Sequence, residues 1–156
     1  MTALAAVAAA LAADEGGRAP FEGRFEFRSF TKEDGLEDLS VECVIQDRVG
    51  FIWVGTDDGL FRYDGSRFRK FGHRDGLPRL RIFQLHETGD GRLYVATAGG
   101  VEVFSAEGQH LGTIPVSRAP QNIAFAGPNK KTLYIVGRGA AYKVQLLAQG
   151  FTGRAK

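Results

Sequence analysis

A repeat of about forty residues constrains this chain more than any other feature in it. The segment FRSFTKEDGL, Phe27 to Leu36, returns as FRKFGHRDGL, Phe68 to Leu77, with six of ten positions identical at an offset of 41. Trp53 in FIWVGT stands 41 residues before Tyr94 in RLYVAT, and Tyr94 stands 40 before Tyr134 in TLYIVG. Separate segments thus report nearly one period, and a fixed period of this length marks an architecture of stacked supersecondary units.

Each unit consists of short β-prone runs divided by Gly, Asp and Asn, which is how an antiparallel meander is written. The 21 glycines in 156 residues supply the turns that such a meander needs. In the first unit the expected strands are Val41 to Gln46, Phe51 to Thr56, Leu60 to Tyr63 and Arg67 to Phe71. The second repeats the order with Ile82 to His86, Leu93 to Thr97, Val101 to Phe104 and His110 to Val116. The third offers Asn122 to Phe125, Thr132 to Val136 and Ala141 to Leu146, with no fourth run, while an unmatched fourth-strand copy, Phe25 to Phe30, precedes the first unit.

The expected fold is therefore all-β: a β-propeller of about three four-stranded antiparallel blades, partial or completed by oligomerisation. The spare first strand is expected to complete the last blade, as the ends of closed propellers commonly do. Propellers typically close with four to eight blades. Self-association or further blades are accordingly the expected partners, and two copies would supply six blades.

Blades are assigned to residues 23–150 and a C-terminal tail to residues 151–156. Residues 1–22 are set apart as a signal-peptide candidate or disordered N-terminus. Met1 to Ala13 is too short to span a bilayer, and Ala10-Leu11-Ala12 fits a small-x-small cleavage pattern, but the positively charged leader of a signal peptide is missing. A formal net charge of +2, with 20 basic residues interspersed among 18 acidic ones, points away from nucleic acid as a partner. The single cysteine, Cys43, excludes an intramolecular disulfide and reads as a small buried hydrophobe.

Residues capable of chemistry have structural explanations at hand. Asp34, Asp58, Asp75 and Asp90 each precede Gly, with Asp57 adjacent, and Asp-Gly suits turns that require side-chain hydrogen bonding and positive φ. His73, His86 and His110 are dispersed, and no Gly-x-Ser-x-Gly elbow exists. His86 reads as a half-exposed strand residue. The basic cluster from Arg67 to Arg81, interleaved with Phe68 and Phe71, alternates as a solvated outer strand does. Recurrence of Trp53, Tyr94 and Tyr134 at one scaffold position reads as packing between blades.

Two family resemblances rest on these residues. Residues 27–77, with DGL after an aromatic strand and then VIQDRVGFIWVGTDDGLFRYDG, resemble the two-component regulator propeller repeat. That likeness implies an extracytoplasmic sensor region and a periplasmic or extracellular location. Residues from about 89 to 156, carrying GDGRLYVATAGGVEVFSAEGQHLGTIPV, QNIAFAGPNKKTLYIV and GFTGRAK, resemble the C-terminal part of the SMP-30/gluconolactonase family. This second likeness implies a six-bladed propeller hydrolysing lactones with an axial divalent metal such as calcium. Where that family carries an acidic ligand, however, this chain reads Arg81-Ile82-Phe83-Gln84, without a carboxylate.

The expected function is a non-enzymatic sensor or binding module for a small molecule or protein, without a cofactor, catalytic residue or metal ligand. A degenerate or fragmentary metal-dependent lactonase is the alternative, so whether the chain is an enzyme stays open with a leaning to no. A binding face is expected at the loops Gly55 to Gly59 and Ala96 to Gly100, with Thr56, Asp57, Asp58 and Thr97 as its residues.

Overall fold

The computed structural model describes residues 27–152. Within them, short turns leave each strand no partner nearer than the preceding one, and the chain lays down three successive antiparallel sheets. The first contains β1 (Val41–Gln46), β2 (Ile52–Thr56), β3 (Gly59–Tyr63) and β4 (Phe68–Phe71). The second contains β5 (Ile82–Glu87), β6 (Leu93–Thr97), β7 (Gly100–Phe104) and β8 (His110–Ile114). The third has β9 (Asn122–Ala126), β10 (Thr132–Gly137) and β11 (Ala140–Gln145). The three repeats are thus blade-like sheets, the last lacking an outer strand among the described residues.

Alternation along β2 and β6 sends successive side chains to opposite faces, so each sheet is apolar on both sides and must be covered twice. Between the first two sheets lie Trp53, Leu60, Phe71 and Leu77 against Ile82, Leu85, Leu93, Val95 and Phe104. Between the second and third lie Tyr94, Ala96 and Val101 against Ile123, Phe125, Leu133 and Ile135. Each large side chain fully buried there contributes about 1.5–3 kcal/mol relative to exposure. The first strands of neighbouring sheets, β1, β5 and β9, pack on one another in turn, which is where blades converge in a propeller. Close approach at the first junction depends on Gly55: a Cβ there would lie 2.5 Å from Ile82 Cγ2 and 2.6 Å from Cys43 Sγ.

The repeated DGL segment forms a 3-10 turn at each appearance, Lys32–Asp34 and His73–Asp75. Asp34 accepts the N–H of Thr31 at 2.9 Å and Asp75 that of Gly72 at 3.0 Å. Gly35 and Gly76, both at φ 89°, end these turns in the left-handed region that glycine adopts without a Cβ penalty. Each turn lies against the outer strand of the sheet that follows, since a Cβ on Gly35 would meet the Phe68 carbonyl and one on Gly76 the His110 side chain.

Several expectations need correction. The described part of the spare front strand, Phe27 to Phe30, is not a strand. Phe30 instead packs edge-on against Tyr63 and Phe68, at 4.9 and 5.5 Å between ring centroids, so it covers the first sheet rather than completing the third. β8 stops at Ile114 because Pro115 has no N–H for the ladder. After β11 the chain stays tied to the sheets: Leu146 and Gly150 donate to the carbonyls of Lys131 and Lys130, and Gln149 accepts from Gly89 of the second sheet. The signal-peptide candidate, residues 1–22, and most of the proposed tail fall outside the described residues.

The β1–β2 turn is organised by one carboxylate. Asp47 Oδ1 accepts the N–H groups of Val49, Gly50 and Phe51 at 3.0, 2.8 and 2.9 Å, while Oδ2 accepts the Trp53 indole N–H at 2.8 Å. Asp47→Ala leaves those donors unpaired and is expected to lower stability by about 2 kcal/mol. A lower urea midpoint followed by Trp53 fluorescence would report it, with Asp47→Asn recovering part of the loss; an unchanged midpoint would refute the assignment.

Candidate functional site

The register divides the hairpins between two rims. On one lie the β2–β3, β6–β7 and β10–β11 turns together with the segments entering β1, β5 and β9. On the other lie the β1–β2, β5–β6 and β9–β10 turns and the chain's last described residues.

Thr56, Asp57, Asp58 and Thr97 all fall on the first rim, but in two different states. The Thr56 hydroxyl is buried, donating to the Gly59 carbonyl at 3.0 Å and accepting the Asp58 N–H at 3.1 Å. Thr97 does the same in the next sheet, donating to Gly100 at 3.2 Å and accepting from Gly99 at 3.1 Å. Both hydroxyls are therefore occupied in closing their hairpins. The exposed groups are Asp57, 2.9 Å from Arg81 Nε, and Asp58, 2.7 Å from Lys70 Nζ. Arg81 also reaches Glu42 at 3.1 Å, tying the first sheet to the second.

The basic cluster is accordingly divided rather than pooled. Arg69 pairs with Asp75 and lies over the Phe71 ring, Lys70 pairs with Asp58 and Glu37, and Arg81 crosses the junction. Nor do the aspartates before glycine converge: Asp34 and Asp75 cap turns, and Asp90 accepts the Thr88 hydroxyl at 2.6 Å. Among the described residues no three His, Cys, Asp or Glu side chains come together in an arrangement for a metal ion.

The opposite rim holds a cleft of about 400 Å³ between the ends of β1 and β5, lined by Gln46, Arg48, Leu85, His86, Glu87 and Phe151 among others. Arg48 is fixed three ways: its side chain pairs with Glu87 at 3.1 Å and donates to the Thr88 carbonyl at 2.7 Å, while its N–H meets Glu87. His86 stacks on Phe125 at 5.1 Å and keeps a buried Nε2 with no hydrogen-bond partner among the described residues. The cleft thus offers a donor and an acceptor above an apolar floor, with the His86 ring turned against Phe125 at its edge. Nothing in local spacing announces this group, since Arg48 and Glu87 stand 39 residues apart and meet only through the repeat.

A second buried polar group was equally hidden. Glu102 lies fully buried between β7 and β8, its Oε2 taking His110 Nε2 at 2.8 Å and the Thr113 hydroxyl at 2.5 Å, while Oε1 has no partner among the described residues. Cys43 behaves as its apolar setting implies, with burial pushing its thiol up to about 11.

Comparison with known proteins now bears on this geometry. Residues 35–58 match the two component regulator propeller family. A histidine kinase, P4, of Formosa agariphila is 51% identical over 45 residues, which is 29% of this chain and 3% of that protein's length. The extracellular domain of a one-component system from B. thetaiotaomicron aligns with TM-score 0.59 and 25% identity, over 72% of this chain and 16% of the other. That of a hybrid two-component system from the same organism aligns with TM-score 0.68 and 18% identity, over 76% and 18%. A structure assigned as a gluconolactonase gives TM-score 0.61 and 18% identity, over 72% and 41%. At that identity it shares the architecture alone. The chain thus spans a small part of its relatives, and both anticipated propeller likenesses are present.

Burial, and then the charge of Lys130, hold the His86 imidazole below its ordinary value of 6.5. Unfolding restores the ordinary value, so below it the unfolded chain takes up a proton that the folded chain resists, and stability falls as pH drops. Urea midpoints from neutral pH down through the 6.5 region should decline in the parent and decline less in His86→Phe. Equal declines would show that this imidazole is not the group responsible.

Proposed function

We propose that the chain is a binding segment of an extracytoplasmic sensor propeller, non-enzymatic, taking a small polar ligand in the cleft between β1 and β5. The observation carrying this reading is the Arg48–Glu87 pair beside His86, where donor and acceptor face one cleft across a blade junction. A ligand bridging these groups would bind two sheets at once, and a change in their spacing is a way to pass occupancy along the stack. The 51% identity to part of a histidine kinase and the match over residues 35–58 support a sensory setting. No helix among the described residues is long and apolar enough to cross a membrane.

The lactonase alternative would require a metal-donor set, and no group of three His, Cys, Asp or Glu side chains comes together among the described residues. On the binding reading Thr56 and Thr97 are scaffold, and Asp57 and Asp58 form the acidic edge of the far rim. Thermal-shift measurements against panels of sugars, amino acids and dicarboxylates are expected to yield a stabilising ligand. Arg48→Ala should weaken its binding by about tenfold or more, equivalent to losing one charge-assisted hydrogen bond. Asp57→Asn with Asp58→Asn should leave it unchanged. The reverse pattern would move the site to the opposite rim, and hydrolysis of an aldonolactone that chelation abolishes would overturn the non-enzymatic reading.

A further inference from the structure

The two internal junctions provide a standard against which the two ends of the stack can be measured. Val44, Leu85 and Ile123 are equivalent, each pairing with the central residue of its second strand, Val54, Val95 or Ile135. Leu85 and Ile123 are 2% and 3% exposed because the preceding sheet covers them; Val44 is 61% exposed. Val41 and Ile82 likewise pair with Thr56 and Thr97, and Ile82 is buried while Val41 is open. Leu39, which stands 41 residues before Leu80, is exposed as well.

The other end mirrors this. Trp53 and Tyr94 are 2% and 4% exposed under the sheet that follows each, whereas Tyr134 at the same position is 42% exposed. Beside it stands exposed Val136, the equivalent of buried Gly55 and Ala96. One end therefore carries the receiving half of a blade junction and the other end the donating half.

We propose that a second copy of this chain covers both ends, head to tail, with the Val41–Val44 face of each copy on the Tyr134–Val136 face of the other. Both halves belong to one chain and continue, in register, the two junctions that it already forms internally. Such a contact is heterologous, and two of them close a ring when three blades span half a turn. The resulting six blades fall within the range at which propellers close. The proposal does not depend on what the β1–β5 cleft binds.

Light scattering coupled to size exclusion on the 156-residue chain is expected to give twice its 16.9 kDa mass. Val44→Glu and Tyr134→Glu should each give a monomer with an unchanged circular dichroism spectrum, since both positions are exposed in the single chain. If either loses its strand signal, Val44→Thr or Tyr134→Ser takes its place. Mixing the two variants should recover a dimer in part, because one intact receiving face then meets one intact donating face. A folded monomeric parent would overturn the proposal and leave these faces to further blades or another protein. A dimer lost in Val44→Glu but kept in Tyr134→Glu would overturn it in favour of front-to-front pairing.

Discussion

The structure depends on one requirement: the aromatic side chain at the second strand of each sheet has to be covered by the sheet that follows. Trp53 and Tyr94 meet it, lying within the first and second junctions. A two-faced apolar sheet of four short strands cannot shield itself, so no blade is stable as a separate unit and stability accumulates along the stack. Everything polar is then arranged at the edges of these junctions. Arg81 crosses the first at one rim and Arg48 at the other, each fastening a side chain of one sheet to the carboxylates of its neighbour.

Turn chemistry divides the polar residues into those committed to the scaffold and those left for a ligand. Asp47 is consumed by four donors, and the buried threonine hydroxyls close their own hairpins. Beside the first junction stands the Arg48–Glu87 pair, Arg48 on the β1–β2 turn and Glu87 at the end of β5, each held in place by the other. Groups fixed in this way lose little conformational freedom when a ligand arrives, which favours affinity.

Much of the architecture was legible in the sequence because its signals were local. The offset of 41 between the DGL segments, the Trp53–Tyr94–Tyr134 ladder and the glycine turns set the number and order of strands to within a residue or two. The fate of Phe27 to Phe30 was not legible, because whether an aromatic run pairs as a strand or packs as a cover depends on which edge is within reach. The cleft was hidden for a related reason. Arg48 and Glu87 each look like ordinary turn and strand-end charges, and only the stacking of consecutive repeats brings them together. Thr56 and Thr97 share one rim, but burial of their hydroxyls depends on hairpin geometry that spacing does not encode.

Gly55, Ala96 and Val136 occupy one position in three successive blades, and their side chains grow from none to a methyl to an isopropyl group. At the first of these a Cβ has no room, because Ile82 fills the space. The repeats are alike enough to share a plan but have ceased to be interchangeable parts. Swapping the first blade for the third would set an isopropyl group where Ile82 now sits, so order along the chain is enforced by steric fit as well as by connectivity. A lineage that multiplied such blades by duplication would be free to lengthen the array at its ends, but not to shuffle its middle.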